Sequence, residues 1–144
     1  MDPYLAELAK RILVFDGAMG TQIMARELAP EDFGGAAFHG CNEAIVLSRP
    51  DIVEHVHQAY LEAGADVLET DTFTASRLKL DEYGLGDRVG EINRNAAAIA
   101  RSCVDRVGWL RPRFVAGSMG PTGMLISSSD PALSKITFEE LAAL

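Results

Sequence analysis

Cysteine is almost absent from this sequence: Cys41 and Cys103 are the only two in 144 residues. Two thiols are too few for the disulfide framework that staples small secreted domains, and they fit a reducing compartment. Long apolar runs are missing as well. No stretch approaches the roughly 20 apolar residues that a membrane-spanning helix needs. The opening Met1-Asp2-Pro3-Tyr4 carries no basic region followed by an apolar segment, so no secretory signal is expected. Positive charge is scarce too. Thirteen Lys and Arg stand against 21 Asp and Glu, a formal net charge of -8. A surface that neutralises phosphates needs clustered basic side chains, which excludes nucleic acid as a partner. These absences lead to the expectation of a soluble, cytoplasmic protein with no membrane association. What is present, 48% hydrophobic and 24% charged residues, is the composition of an ordinary globular domain with a real core.

Short apolar runs and amphipathic stretches alternate along the chain. Arg11-Ile-Leu-Val-Phe15, Ala65-Asp-Val-Leu-Glu-Thr-Asp-Thr-Phe73 and Arg113-Phe-Val-Ala-Gly-Ser118 are bounded by Gly or Pro and read as buried strands near 12–16, 66–72 and 113–118. Between them, Ile52, Val56, Tyr60 and Ala63 fall on one helical face that stops at Gly64. Ser48 and Asp51 before that face resemble a capping box. Val89, Ile92, Ala96, Ile99, Cys103 and Val107 recur at steps of three and four, which predicts helices near 50–63 and 88–107. A short helix is expected at Asp2-Pro3, with Leu5 and Leu8 on its buried side, and Thr137-Phe-Glu-Glu140 is a capping box before another. Alternation of this kind implies parallel strands joined by crossovers. The expected fold class is α/β. A (β/α)8 barrel needs about 250 residues and eight strands, so about three βα units correspond to the first part of one. Residues 1–144 then form the opening portion of such a barrel. Strand edges and apolar surface left uncovered by the other units favour association.

Ligands of parallel α/β folds bind at the carboxyl ends of the strands. Three polar clusters fall there: Asp16-Gly17-Ala18-Met19-Gly20, Glu69-Thr70-Asp71-Thr72 and Gly117-Ser118-Met119-Gly120-Pro121-Thr122. A carboxylate accepts hydrogen bonds from an ammonium group, and a glycine-rich turn directs backbone N–H groups at a carboxylate. Together they suit the two charged groups of an amino acid. The first two clusters are equally consistent with turn chemistry and local side-chain bonds to the backbone, and Gly117, Gly120 and Pro121 taken singly read first as a turn. His39 and Cys41 have no partner pair at a zinc-site spacing, and His55 and His57, two apart on a helix, point to different sides. Cys103 reads as a small core residue.

The chain also resembles a known family, in collinear order over essentially its whole length. Ile12-Leu-Val-Phe-Asp-Gly-Ala-Met-Gly-Thr21 resembles the opening of the homocysteine-binding barrel of the homocysteine S-methyltransferase family, above all of its cobalamin-dependent methionine synthases. So do Cys41-Asn-Glu43, Arg49-Pro-Asp-Ile-Val-Glu-His-Val-His57, Ala63-Gly-Ala-Asp-Val-Leu-Glu-Thr-Asp-Thr-Phe73, Phe114-Val-Ala-Gly-Ser-Met-Gly-Pro-Thr122 and Ile136-Thr-Phe-Glu-Glu-Leu141.

This resemblance implies methyl transfer to the sulfur of homocysteine, giving methionine. A family zinc ion binds the thiol and lowers its pKa. Its three cysteine ligands follow a later strand and sit as an adjacent pair near the barrel's end, positions beyond residue 144, so neither a metal ligand nor a catalytic residue is expected within this chain. Cobalamin and methyltetrahydrofolate are implied for further modules of the parent protein, which with the rest of the barrel are the implied partners. Asp16 matches the acceptor of the homocysteine amino group, Gly17-Ala18-Met19-Gly20 the backbone that meets its carboxylate, and Glu69 and Thr72 match residues lining the pocket. Asp71 stands where the family pattern usually has asparagine. Strand alternation puts Glu69 and Asp71 on one face and Thr70 and Thr72 on the other. Asp71, Ser118 and Gly120 are expected behind the site, with Asp71 bonded to a backbone N–H or hydroxyl. Two other readings stand beside this one. A dinucleotide-binding half-domain would need G-x-G-x-x-G, whereas Gly17 and Gly20 give G-x-x-G behind an acidic residue. A non-catalytic binding or assembly fragment, completed by another chain or by the missing remainder, is the reading expected from a last helix cut short soon after its capping box.

Overall fold

The computed structural model describes residues 2–108, 111–124, 126 and 136–143. The chain starts with helix α1 (Pro3–Leu8), for which Asp2 is the cap, its carboxylate accepting the N–H groups of Tyr4 and Leu5 at 2.8 and 3.3 Å. Proline at the first helical position costs nothing, because that N–H has no intrahelical partner. The expected buried side is not observed. Leu5 and Leu8 are exposed, and Tyr4 anchors the helix instead, its ring edge-on to Phe114 with centroids 5.3 Å apart.

The short helix α2 (Met19–Met24) follows the first glycine turn, and after three single-turn 3-10 segments come α3 (Ile45–Ser48) and α4 (Pro50–Ala63). The capping box expected from Ser48 and Asp51 does not form. Ser48 is still helical in α3 and its hydroxyl donates to Asp32 O at 2.6 Å, while Asp51 takes the Arg49 guanidinium. Helix α4 buries Ile52, Val53, Val56, His57 and Leu61, a stripe turned slightly from the expected one so that Ala63 faces solvent. Each such aliphatic contributes roughly 1.5–3 kcal/mol by leaving water. Gly64 ends the helix at φ 108°, a left-handed conformation that suits glycine, and the chain turns directly into strand β1 (Val67–Glu69). After α5 (Arg77–Leu80) the long helix α6 (Val89–Arg106) buries Ile92, Ala96, Ala100, Cys103 and Val104, as its periodicity requires. Strand β2 (Phe114–Ala116) follows, and α7 (Phe138–Ala142) begins with the expected reciprocal bonds between Thr137 and Glu140. Helices α4 and α6 pack together over β1, where Leu61, Leu68, Cys103 and Val104 form a core continuous with partly buried Tyr60 and Val115.

β1 and β2 pair in parallel, Val67 opposite Phe114 through Glu69 opposite Ala116. The strand expected over 12–16 is reduced to one parallel bridge between Phe15 and Val67. The reason lies in Asp66, whose carboxylate, 3.0 Å away, takes the Val14 N–H that a ladder would use. That carboxylate also meets Arg11 at 2.9 Å and Arg111 at 3.4 Å. Burial opposes its ionisation, but the Val14 N–H and the two arginines outweigh burial and hold it below the usual carboxylate range. One buried acid thus ties together the starts of all three extended segments at the end remote from the glycine turns. The apolar side chains ahead of the bridge stay open to solvent: Ile12 is 86% exposed and Val14 54%. Among the described residues no helix is long and apolar enough to cross a membrane.

Candidate functional site

The carboxyl ends of the three extended segments converge on a cleft of about 440 Å³. Its walls are the Asp16–Gly20 turn, Asn42 and Glu43, residues 69–71 of the β1 end, Phe73, Thr74 and Ser118. A slightly larger cavity, about 480 Å³, lies against the start of β2 and is lined by Pro3, Arg101 and Arg111 among others. None of the three polar clusters at the strand ends contributes to its lining. The convergence of polar groups at strand ends marks the first cleft as the site.

Asp16 occupies the gap between the first segment and β1. Its N–H donates to Val67 O at 2.9 Å and its Oδ1 accepts the Glu69 N–H at 3.1 Å. Burial pushes the Asp16 pKa up, the Glu69 N–H pulls it back and the Glu69 charge adds to the rise, leaving it at about 6. Helix α4 supports the turn from below. Tyr60 Oη donates to Ala18 O at 3.2 Å, and a Cβ on Gly17 would lie 2.8 Å from that oxygen, so the close approach requires glycine. His57, one helical turn earlier, is fully buried with Nδ1 4.0 Å from Asp16 Oδ2. Burial lowers its pKa to about 4, so it is neutral at pH 7. His55 faces solvent on the other side of the helix, as the two-residue spacing requires.

The predicted site residues divide. Asp16, Gly17, Ala18, Met19, Gly20 and Glu69 all line the cleft, as do Asp71 and Ser118. Thr72 does not. β1 ends at Glu69, so strict alternation no longer applies, and Thr72 turns into a hydrogen-bonded ring. Ser118 N–H donates to Thr70 Oγ1 at 3.0 Å, the two threonine hydroxyls meet at 2.6 Å, and Thr72 Oγ1 donates to Ser118 O at 2.8 Å. The ring staples the β1 end to the loop after β2, and Thr70 takes the place at the cleft. Gly120 lies outside the cleft and donates to Phe73 O at 2.9 Å; a Cβ there would come within 2.3 Å of that oxygen. Asp71 makes no bond of the expected kind. It is buried at 5% exposure, its Oδ2 has no hydrogen-bond partner among the described residues, and burial with the neighbouring Glu43 charge raises its pKa to about 7.

Sequence reasoning missed Asn42, Glu43, Phe73 and Thr74. Glu43 is buried and its Oε1 accepts the Thr74 N–H at 2.9 Å and the Thr74 hydroxyl. The signal that could have found it is an acidic residue inside the apolar 41–46 stretch. Four carboxylates, Asp16, Glu43, Glu69 and Asp71, thus face one cleft with no Lys, Arg or His among its lining residues. Acids gathered in one cleft attract positive charge to the extent that they are ionised. The thiols lie elsewhere: Cys41 is buried, its pKa pushed up to about 11 by burial, and Cys103 is in the α4–α6 core with burial raising it too.

The profile of the family described as homocysteine S-methyltransferase matches residues 13–144. The chain belongs to that family. It is 45% identical over 115 residues to a methionine synthase of Mycobacterium tuberculosis and 42% identical over 118 residues to that of Mycobacterium leprae. These alignments take in 79% and 81% of this chain but 10% of each relative, so the chain spans about a tenth of the length of these curated relatives. The homocysteine methyltransferase MmuM of Escherichia coli has a similar fold. Its metallated form superposes with a TM-score of 0.67 at 25% identity, over 83% of this chain and 42% of that one. The oxidised form gives 0.70 at 26% identity, over 85% and 42%. Membership in the family places the Asp16–Gly20 turn inside the matched segment and excludes the dinucleotide-binding alternative.

Proposed function

We propose that this chain supplies the amino-acid end of a homocysteine site in a methionine synthase-type enzyme, as the first βα units of its barrel. One observation carries the reading: an acid-lined cleft in which Asp16, fixed by the Glu69 N–H, stands beside the Gly17–Gly20 turn. Asp16 accepts the ammonium group of homocysteine. The turn amides, which open α2 and have no intrahelical partners, meet its carboxylate. Held at both charged groups, the substrate presents its sulfur in one direction. Such positioning converts encounter into a unimolecular step. The remainder of the barrel completes the pocket, and cobalamin and methyltetrahydrofolate belong to further modules of the parent, acting in the cytoplasm.

The chain's own residues do not fit the family's zinc. Among the described residues no group of three His, Cys, Asp or Glu is placed to hold a metal, and neither cysteine reaches the cleft. Residues 1–144, dialysed free of metal and then supplied with zinc, are therefore expected to retain far less than one equivalent and to transfer no methyl groups. One zinc per chain by elemental analysis would show that the ligand set lies here after all.

The functional reading is tested on the full-length enzyme by calorimetric titration with L-homocysteine and with 4-sulfanylbutanoate, which lacks the amino group. Losing a charge-assisted bond of about 1.5–3 kcal/mol weakens the deamino compound by roughly ten- to a hundred-fold. Equal affinities would remove Asp16 from the site. A pH dependence follows from the Asp16 pKa of about 6. An ammonium binds the ionised carboxylate, and the protonated fraction grows as pH falls through that value. The dissociation constant of methionine, which has no thiol proton to release, should be flat above pH 7 and rise about tenfold per pH unit well below 6. A flat profile down to pH 5 would mean that another group holds the ammonium.

A further inference from the structure

His57 is a fully enclosed titratable group that the proposed site does not use. It has no exposed surface, and neither ring nitrogen has a hydrogen-bond partner among the described residues. Buried polar groups are nearly always paired, because leaving one unpaired forfeits its hydration without compensation. An aliphatic side chain would fill this place on α4 without that cost, so packing alone does not account for an imidazole.

The surroundings of Nδ1 account for it. The acidic oxygen recorded against it is Asp16 Oδ2, 4.0 Å away. Asp16 Oδ1 is already taken by the Glu69 N–H, and among the described residues no hydrogen bond is made to Oδ2. The distance exceeds that of a hydrogen bond, and contacts of this kind are often long in ligand-free sites and tighten on binding. Tyr60, three residues on and therefore on the same face of α4, already holds Ala18 of the same turn. The helix thus grips the turn at one point and offers a second directly under the carboxylate.

We propose that His57 is the positioning residue of the Asp16 carboxylate: with an amino acid in the cleft, its Nδ1–H donates to Asp16 Oδ2 and locks the plane of the carboxylate toward the ammonium group. The inference rests on the reading of Asp16 as the ammonium acceptor. A neutral imidazole suits this task, since it donates without placing a cation that would compete with the ligand's own. The Nδ1–H tautomer leaves Nε2 as the acceptor, directed away from the carboxylate.

The test compares His57→Leu, His57→Asn, His57→Gln and Asp16→Asn in the full-length enzyme, each checked for fold by circular dichroism. The asparagine amide places a donor where Nδ1 stands, whereas glutamine places it nearer Nε2. Positioning predicts a homocysteine KM at least tenfold higher in His57→Leu, with kcat at saturation within threefold and the methyl-donor KM unchanged. It predicts rescue in His57→Asn to within about threefold of wild type. A purely structural role predicts the reverse order, leucine tolerated and asparagine not, and that order overturns the proposal. If His57→Leu fails to fold, the comparison of asparagine with glutamine decides: homocysteine bound at least fivefold better by the asparagine variant supports positioning, and equal binding overturns it. Asp16→Asn separates the two levels. An unchanged homocysteine KM in that variant defeats the reading of the site itself, whereas a raised KM there beside an unaffected His57→Leu defeats only the role of His57.

Discussion

Asp16→Ala in the full-length enzyme is expected to raise the homocysteine KM roughly ten- to a hundred-fold while leaving the methyl-donor KM unchanged. The substitution removes two things together: the charge that the proposed site turns toward the ammonium, and the Oδ1 acceptor for the Glu69 N–H. Asp16→Asn separates them, because the amide oxygen still accepts that N–H while the charge is gone. Binding of an ammonium needs the charge, so both variants should lose homocysteine affinity. If alanine weakens the substrate and asparagine does not, Asp16 is a turn residue that keeps β1 and the first segment together, and its contact with substrate is disproved. The neighbouring glycine supports the first outcome. Gly17 is pressed against Tyr60 of α4 and lines the cleft.

Asp71→Asn is expected to stabilise the protein, increasingly so as pH rises. In the folded chain Asp71 is buried beside Glu43, one of its oxygens has no hydrogen-bond partner among the described residues, and its pKa is raised from the ordinary 3.8 to about 7. Between those values the folded state holds a proton that the unfolded chain has released. Stability from this group is therefore lost as pH rises from about 4 to about 7 and stays lost above that. A rise of this size corresponds to on the order of 4 kcal/mol. Asparagine has the shape of the protonated acid and no proton to lose, so the variant's gain should be small at pH 4.5 and largest near pH 8. Thermal unfolding of both proteins at the two pH values measures it. The same gain at both would show that Asp71 is ionised and accommodated throughout. If Asp16 is the ammonium acceptor, as proposed, homocysteine affinity should change only a few-fold.

Much of the architecture was legible because it rests on local rules. The 50–63 and 88–107 helices appear as α4 and α6, since apolar spacing at 3.6 residues and a stopping glycine act within a few turns. Parallel pairing followed from alternation, and it is found between β1 and β2. The first strand failed for a reason no period contains. Asp66, 52 residues from Val14, takes the N–H that the ladder needed. Leu5 and Leu8 failed because a helix of under two turns has no intrinsic buried side; Tyr4 found Phe114 instead.

The sequence by itself determined the alternation of elements, the family, and the Asp16–Gly20 turn with its acid at a strand end, because each is written in neighbouring residues. Only the tertiary structure decided which polar groups face the cleft. Alternation placed Thr72 at the pocket, but β1 ends at Glu69, and beyond a strand's last paired residue side chains go where partners are. Thr70 and Thr72 found Ser118, 46 to 48 residues away, and Thr70 alone kept the cleft. Glu43 came in beside Asp71 through Thr74, 31 residues on, and His57 came under Asp16 because α4 packs beneath the turn. These juxtapositions arise from packing between distant segments, and that packing also sets the charge of the site and the pKa values within it.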